Sequence, residues 1–181
     1  MIEKDDAWRM SDAMMDRIFQ LVPDGGTILE LGSGYSTYVY DQCGYKVITV
    51  EHDPAFLNKV PNATYIYAPI ELYSAKYPQL NSIKKRINNH TGWYERSALV
   101  QGLHNRIYDC IVVDGPPRDY GRSGLYANLG LFQCDGIPIV FDDLHRLDDL
   151  FIAECVAQKL GRDLLITNNG EGKKPFGIVL V

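Results

Sequence analysis

Short runs of consecutive apolar residues alternate along this chain with segments whose apolar positions recur every three or four residues. The first periodic segment covers residues 7–22. There Trp8, Met14, Met15, Ile18, Phe19 and Val22 share one face of a predicted helix that ends before Pro23. The compact run Thr27–Leu31 predicts a buried strand, followed by a helix through about Cys43, and Lys46–Val50 predicts a second strand. Asp53 and Pro54 supply a cap and a first-turn proline for a short helix carrying Phe56, Leu57 and Val60. Ala63–Tyr67 predicts a third strand, and Tyr94–His104 a helix that buries Leu99, Val100 and Leu103. Asp109–Val113 and Ile137–Phe141 are two further strands. Leu147–Leu160 is a helix with Leu150, Phe151 and Val156 inward, closed by Gly161. Leu164–Thr167 and Phe176–Val181 complete the set.

Strands that alternate with helices predict an α/β fold: a Rossmann-like, doubly wound, seven-stranded sheet, mostly parallel and covered on both faces. The last two runs are separated by NNGEGKKP, which reads as a hairpin, so the C-terminal strand is expected to be antiparallel. No repeat, low-complexity tract or linker interrupts the 181 residues, which predicts one domain over 1–181 with the helical segment 1–22 included. In such open sheets a ligand lies beyond the carboxyl ends of the strands, where strand order reverses. Four predicted tips converge there: Glu30–Gly34, Glu51–Asp53, Asp114 and Asp142–His145.

The first tip, TILELGSGYST over residues 27–37, carries the most chemistry. Gly32 and Gly34 permit a sharp turn and a close backbone approach to a ligand, and the following helix start presents free N–H groups. Nineteen residues after Gly32, the run KVITVEHDP ends at Glu51, placed to hydrogen-bond both hydroxyls of a ribose. The third glycine of a dinucleotide turn is missing. A carboxylate at Glu30 would also repel a pyrophosphate, whereas it suits a cationic ligand. S-adenosylmethionine, with an ammonium, a sulfonium and no phosphate, fits that demand.

These stretches resemble the class I S-adenosylmethionine-dependent methyltransferases. ELGSGYST is similar to their first motif, and VITVEHDP to their second. YDCIVVDGPP is similar to the strand whose terminal acid faces the transferable methyl, and GIPIVFDDLHR to the strand with the catalytic tip. The likeness runs from about Met10 to Val181. It is closest to a small bacterial-type group with a VEHDP…VVDGPP pattern, distantly similar to catechol O-methyltransferase. It implies a cofactor site at Glu30, Gly32, Ser33, Gly34, Tyr35, Ser36, Glu51, His52 and Asp114. It also implies a catalytic tip at Asp114, Asp142 and His145.

Asp114 would sit beside the sulfonium, and Gly115 between it and Pro116-Pro117 distinguishes DGPP from the motif of exocyclic amine methylation. With Asp142 and Asp143 it forms an oxygen-rich set that a magnesium-like ion would suit; the metal is left open, as is oxygen against nitrogen as the acceptor, with oxygen favoured. His145 is placed to take a proton from a substrate hydroxyl or, equally, to cap the helix that follows. Arg118, Tyr120 and Arg122 lie on RDYGRSG, where Gly121 and Gly124 predict a mobile loop that closes on an anionic small-molecule acceptor. Lys84-Lys85-Arg86 with Asn88, Asn89 and His90 forms a small basic patch, and Trp93 and Tyr94 wall a pocket or pack beneath it.

Composition narrows the classes. The net charge of −5 argues against an extended nucleic-acid face, and no apolar run approaches a membrane span. The acidic, polar N-terminus is unlike a secretory signal. Cys43, Cys110, Cys134 and Cys155 have no paired spacing, which predicts reduced thiols and a cytosolic setting. Two alternatives remain at this stage: a non-catalytic cofactor-binding or partner subunit, and an NAD-dependent oxidoreductase. A second copy of the chain completing a shallow acceptor pocket is also left open.

Overall fold

The computed structural model describes residues 10–73, 80, 87, 90–167 and 174–181. The elements follow as α1 (Asp12–Leu21), β1 (Thr27–Leu31), α2 (Tyr35–Gln42), β2 (Lys46–Glu51), β3 (Thr64–Tyr67), β4 (Ile70–Leu72), β5 (Gly92–Tyr94), α3 (Arg96–Leu103), β6 (Cys110–Val113), α4 (Ser123–Asn128), β7 (Ile139–Phe141), α5 (Leu147–Leu160), β8 (Leu164–Thr167) and β9 (Phe176–Val179). Seven strands form one sheet in the order β3-β2-β1-β6-β7-β9-β8. The first five of these pair in parallel, while β9 runs antiparallel to both β7 and β8. This is the Rossmann-like sheet with an antiparallel C-terminal strand that the sequence predicts. Strand order reverses between β1 and β6, so the turns leaving their tips diverge and open a crevice.

Alternation along the central strands divides the interior into two layers. Cys110, Val112 and Val140 face Met14, Ile18 and Tyr40 under α1 and α2. Ile111, Val113, Ile139 and Phe141 face Leu99, Leu125, Ile152 and Val156 from α3, α4 and α5. All four β6 residues are buried, as expected for a parallel strand covered on both sides.

Several boundaries differ from the sequence reading. α1 starts at Asp12 because the Ser11 hydroxyl caps it, accepting the Met14 N–H at 3.2 Å; residues 7–9, with Trp8, lie outside the described residues. A 3-10 turn, Pro54–Phe56, replaces the expected short helix, since Leu57 is already extended. Tyr94 ends a strand instead of opening a helix. β4 and β5 form a separate two-stranded antiparallel sheet, and α4 follows the loop where no helix is predicted.

Candidate functional site

Gly32 leaves β1 at φ +92°, and a Cβ there would lie 3.0 Å from the Gly115 nitrogen. The tips of β1 and β6 therefore touch through two glycines. The Gly32 N–H donates to the Val50 carbonyl at 2.9 Å, which ties the turn to β2. A Cβ on Gly34 would meet no protein atom, so the space above the turn is open at the start of α2. Ser36 and Thr37, in the first turn of α2, donate their hydroxyls inward to Glu30, and the Thr37 hydroxyl accepts the Gly34 N–H at 3.0 Å. Glu30 is fully buried beneath them. Burial pushes its pKa up to about 8 against those two hydroxyl bonds, with Asp114 and Glu51 adding to the rise. At neutral pH it is a largely protonated anchor for α2. Tyr35 faces α1 and lines, with Met10, Met15 and Phe19, a cavity of about 200 Å³ between the two helices.

Glu51, at the tip of β2, accepts the Ser33 N–H and hydroxyl at 2.8 Å each and the His52 and Asp53 N–H groups at 2.6 and 2.7 Å. Burial raises its pKa, but His52 and these donors outweigh burial and hold the group below its ordinary value. It is a charged carboxylate whose most movable partner is the Ser33 hydroxyl. The His52 ring meets Tyr120 edge-on at 5.8 Å and Tyr94 at 6.5 Å, so an aromatic wall stands beside this tip.

The tips of β6 and β7 bring oxygens of Asp114, Asp142 and Asp143 within 4.8 Å of one another. Arg122 enters this group with only 2% of its surface exposed. Its Nη1 donates to the Asp142 carbonyl at 2.6 Å, and its Nη2 to the Asp114 carbonyl at 2.6 Å and to Asp143 Oδ2 at 3.0 Å. Asp143 Oδ2 also meets Arg146 at 2.9 Å, and Oδ1 meets Lys174 at 3.3 Å. Asp142 Oδ1 accepts the Asp143 N–H at 2.6 Å. Burial, then the Asp142 charge, raises Asp114; burial, then Asp143, raises Asp142. Burial also acts upward on Asp143, but Arg122, Arg146 and Lys174 hold it low. Three cations thus face three carboxylates. A magnesium-like ion needs free oxygens at roughly 2.0–2.1 Å in octahedral array. Asp143 Oδ2 is already taken up by Arg122 and Arg146, and Lys174 stands 3.3 Å from Oδ1, so a metal at these three acids would compete with three protein cations.

The segment from Arg118 to Gly124 is not the free loop that its glycines suggest. The Thr91 N–H and hydroxyl donate to the Tyr120 and Asp119 carbonyls, both at 2.9 Å, and this laces the segment to β5. A Cβ on Gly121 would run into the His90 ring and one on Gly124 into Trp93, so both glycines serve close packing. Arg122 is interior. Arg118 is exposed and lines a cavity of about 350 Å³ with His90, His145, Arg146, Asp148 and Asp149. His145 sits at its rim, 42% exposed, with Nδ1 3.8 Å from Asp143 Oδ1. His90 Nδ1 accepts the Ser123 N–H at 3.2 Å, so the neutral ring carries its proton on Nε2, and burial lowers its pKa.

No protein-family model and no curated protein matches the sequence. The likeness is to solved structures. A TehB-like SAM-dependent methyltransferase from Corynebacterium glutamicum is 16% identical, with 98% of this chain and 91% of that one covered at a TM-score of 0.54. The SAH-bound methyltransferase PaMTH1 of Podospora anserina is 15% identical, with 97% and 81% covered at 0.51. MycE methyltransferase of the mycinamycin biosynthetic pathway, in complex with Mg, SAH and mycinamycin VI, is 12% identical, with 93% and 48% covered at 0.53. At these identities the likeness is one of fold.

The structure gathers Gly32, Ser33, Gly34, Glu51 and His52 at two adjoining tips, with Tyr120 against them. It gathers Asp114 and Asp142 at two others, and sets Arg118 and His145 around one cavity. It turns Ser36 inward and Tyr35 toward α1. The sequence places His90 in a basic patch and leaves Tyr94 either walling a pocket or packing beneath it; in the structure His90 accepts the Ser123 N–H and Tyr94 packs against the Gly115 turn. Lys84, Lys85, Arg86, Asn88 and Asn89 lie outside the described residues.

Proposed function

We propose that this chain is an S-adenosylmethionine-dependent methyltransferase of one domain that methylates a small molecule at oxygen. The observation that carries the reading is the pair of tips at β1 and β2. A glycine turn with open space above Gly34 stands beside a charged carboxylate, Glu51, whose partners include the rotatable Ser33 hydroxyl. When bound, the cofactor supplies an electrophilic methyl group on a sulfonium. Glu51 holds the ribose hydroxyls once Ser33 swings away, with His52 beside it. Gly32, Ser33 and Gly34 let the backbone approach. Asp114, the partly exposed acid at the β6 tip, faces the cationic end of the cofactor, and Asp142 holds the turn that places His145. His145 takes the acceptor's proton at the cavity rim. Arg118 and Tyr120 hold an anionic acceptor and exclude water, while Arg122 fixes the tips from below. No described helix is long and apolar enough to cross a membrane, and the absence of a disulfide among Cys43, Cys110, Cys134 and Cys155 suits the cytosol.

Calorimetry tests the first part. S-adenosylmethionine binds the parent protein and NAD does not. Glu51→Ala weakens binding by about 1–3 kcal/mol, because charge-assisted bonds to the ribose are lost. Unchanged affinity would remove Glu51 from the cofactor site.

An S-adenosylhomocysteine release assay over a panel of hydroxylated, carboxylate-bearing acceptors tests turnover. Because protein cations already occupy the acidic tip, turnover should survive excess chelator and gain nothing from magnesium or manganese. His145→Ala should lower turnover with cofactor affinity intact. Activity that disappears with chelator and returns with magnesium would restore the metal site, and cofactor binding without turnover on any acceptor would favour a binding subunit.

A further inference from the structure

Tyr94, the last residue of β5, is wholly buried, and its hydroxyl has no hydrogen-bond partner among the described residues. The hydroxyl lies against the glycine junction of β1 and β6, where a Cβ on Gly115 would collide with it. The same Cβ would stand 2.9 Å from the Gly32 Cα. The ring is held by the edge of His52 at 6.5 Å and by Trp93 at 5.0 Å. Burial, then Glu51, keeps the phenol neutral by raising its pKa well above the ordinary value; Arg122, Asp114 and Glu30 are the other charges that act on it. The groups surrounding this oxygen are thus those of the strand tips themselves.

A buried hydroxyl without a partner is rare in folded proteins, because the desolvation of its polar atom goes uncompensated. Phenylalanine would fill the same volume without that cost. The hydroxyl therefore earns its place through a group that arrives with a ligand. We infer that Tyr94 is a cofactor-binding residue whose hydroxyl oxygen meets the sulfonium end of S-adenosylmethionine. This rests on the proposed reading of the crevice as that cofactor's site. With the ribose on Glu51, the sulfonium lies one carbon away, and its attached carbons carry positive polarisation. A neutral phenol oxygen buried at the strand tips offers the negative end of a dipole there and favours the cation over the uncharged thioether.

Tyr94→Phe separates these statements. Without ligand the variant should melt at or above the parent temperature, since no bond within the protein is lost. By calorimetry its affinity for S-adenosylmethionine should fall about tenfold, while its affinity for S-adenosylhomocysteine stays within about twofold. A destabilised variant, an equal loss for both ligands or no loss for either would overturn the inference. Failure of the parent protein to bind S-adenosylmethionine would overturn the reading of the crevice, and this inference with it. Binding by the parent with no loss in the variant would overturn the inference alone.

Discussion

Replacing Arg122 with Ala should cost about 3–5 kcal/mol of folding stability, the range seen when one member of a buried ion pair is removed. Three losses coincide. The Asp142 and Asp114 carbonyls lose donors at 2.6 Å, Asp143 loses its innermost cation, and a fully buried side chain leaves a void. Against a total margin of roughly 5–15 kcal/mol, such a loss is large and is read as a lower urea midpoint. Arg122→Lys keeps the charge but cannot span two carbonyls and a carboxylate, so it should fall between parent and Ala. The deficit should also depend on pH. Asp143 has a depressed pKa in the fold, so its pairing stabilises above the ordinary carboxylate value of 3.8 and is lost as pH falls through its lower, folded value. The gap between Arg122→Ala and parent is therefore widest near neutrality and narrows in acid. A loss below about 1 kcal/mol at pH 7 would return Arg122 to the surface loop that the sequence suggests.

That contrast shows what the sequence makes legible. Strands such as Ile111–Val113 are readable because a parallel strand buried on both faces is apolar throughout, and Ile28–Leu31 keeps that run except at Glu30, which is answered by the Ser36 and Thr37 hydroxyls. The acids and glycines that end those runs are readable for the same reason, since they break the run where the chain leaves the core. Gly92–Tyr94 is three residues long and pairs only with Ile70–Leu72, too short for any period to register. RDYGRSG looks like a solvated loop because glycine and arginine are usually found there. In this fold the glycines make room for His90 and Trp93, and the arginine answers carboxylates that arrive from strands distant in sequence. Local composition cannot report such pairings. The orphan hydroxyl of Tyr94 and the fixed tautomer of His90 likewise exist only once β5 is laid against the Gly115 and Ser123 backbones.

Stability should decline as pH rises from about 6.5 to 8, and Glu30 should account for most of the slope. Its pKa is about 8 in the fold against 4.5 when exposed, so between those values the folded protein holds a proton that the unfolded chain has released. Unfolding is then favoured by raising pH, by as much as ~5 kcal/mol over the whole interval as an upper limit. Asp114, also raised, acts in the same direction but is partly exposed, which reduces its share. Glu51 and Asp143, both lowered, are ionised throughout and add no slope. His90, lowered by burial, works oppositely but only below its ordinary value of 6.5, which sets the start of the window. Glu30→Gln cannot titrate, yet it can still accept from Ser36 or Thr37. Its denaturation midpoints should be nearly flat across the window and should exceed those of the parent at pH 8. The same proton should appear in binding. A sulfonium brought to this crevice favours the ionised acid, so S-adenosylmethionine should release protons at pH 7, seen as a dependence of binding heat on the buffer's ionisation enthalpy. S-adenosylhomocysteine, lacking the sulfonium charge, should release fewer. Superimposable pH profiles for parent and Glu30→Gln would show that Glu30 is already ionised in the fold, and the buried acid would have to be balanced by a cation that this arrangement of residues does not supply.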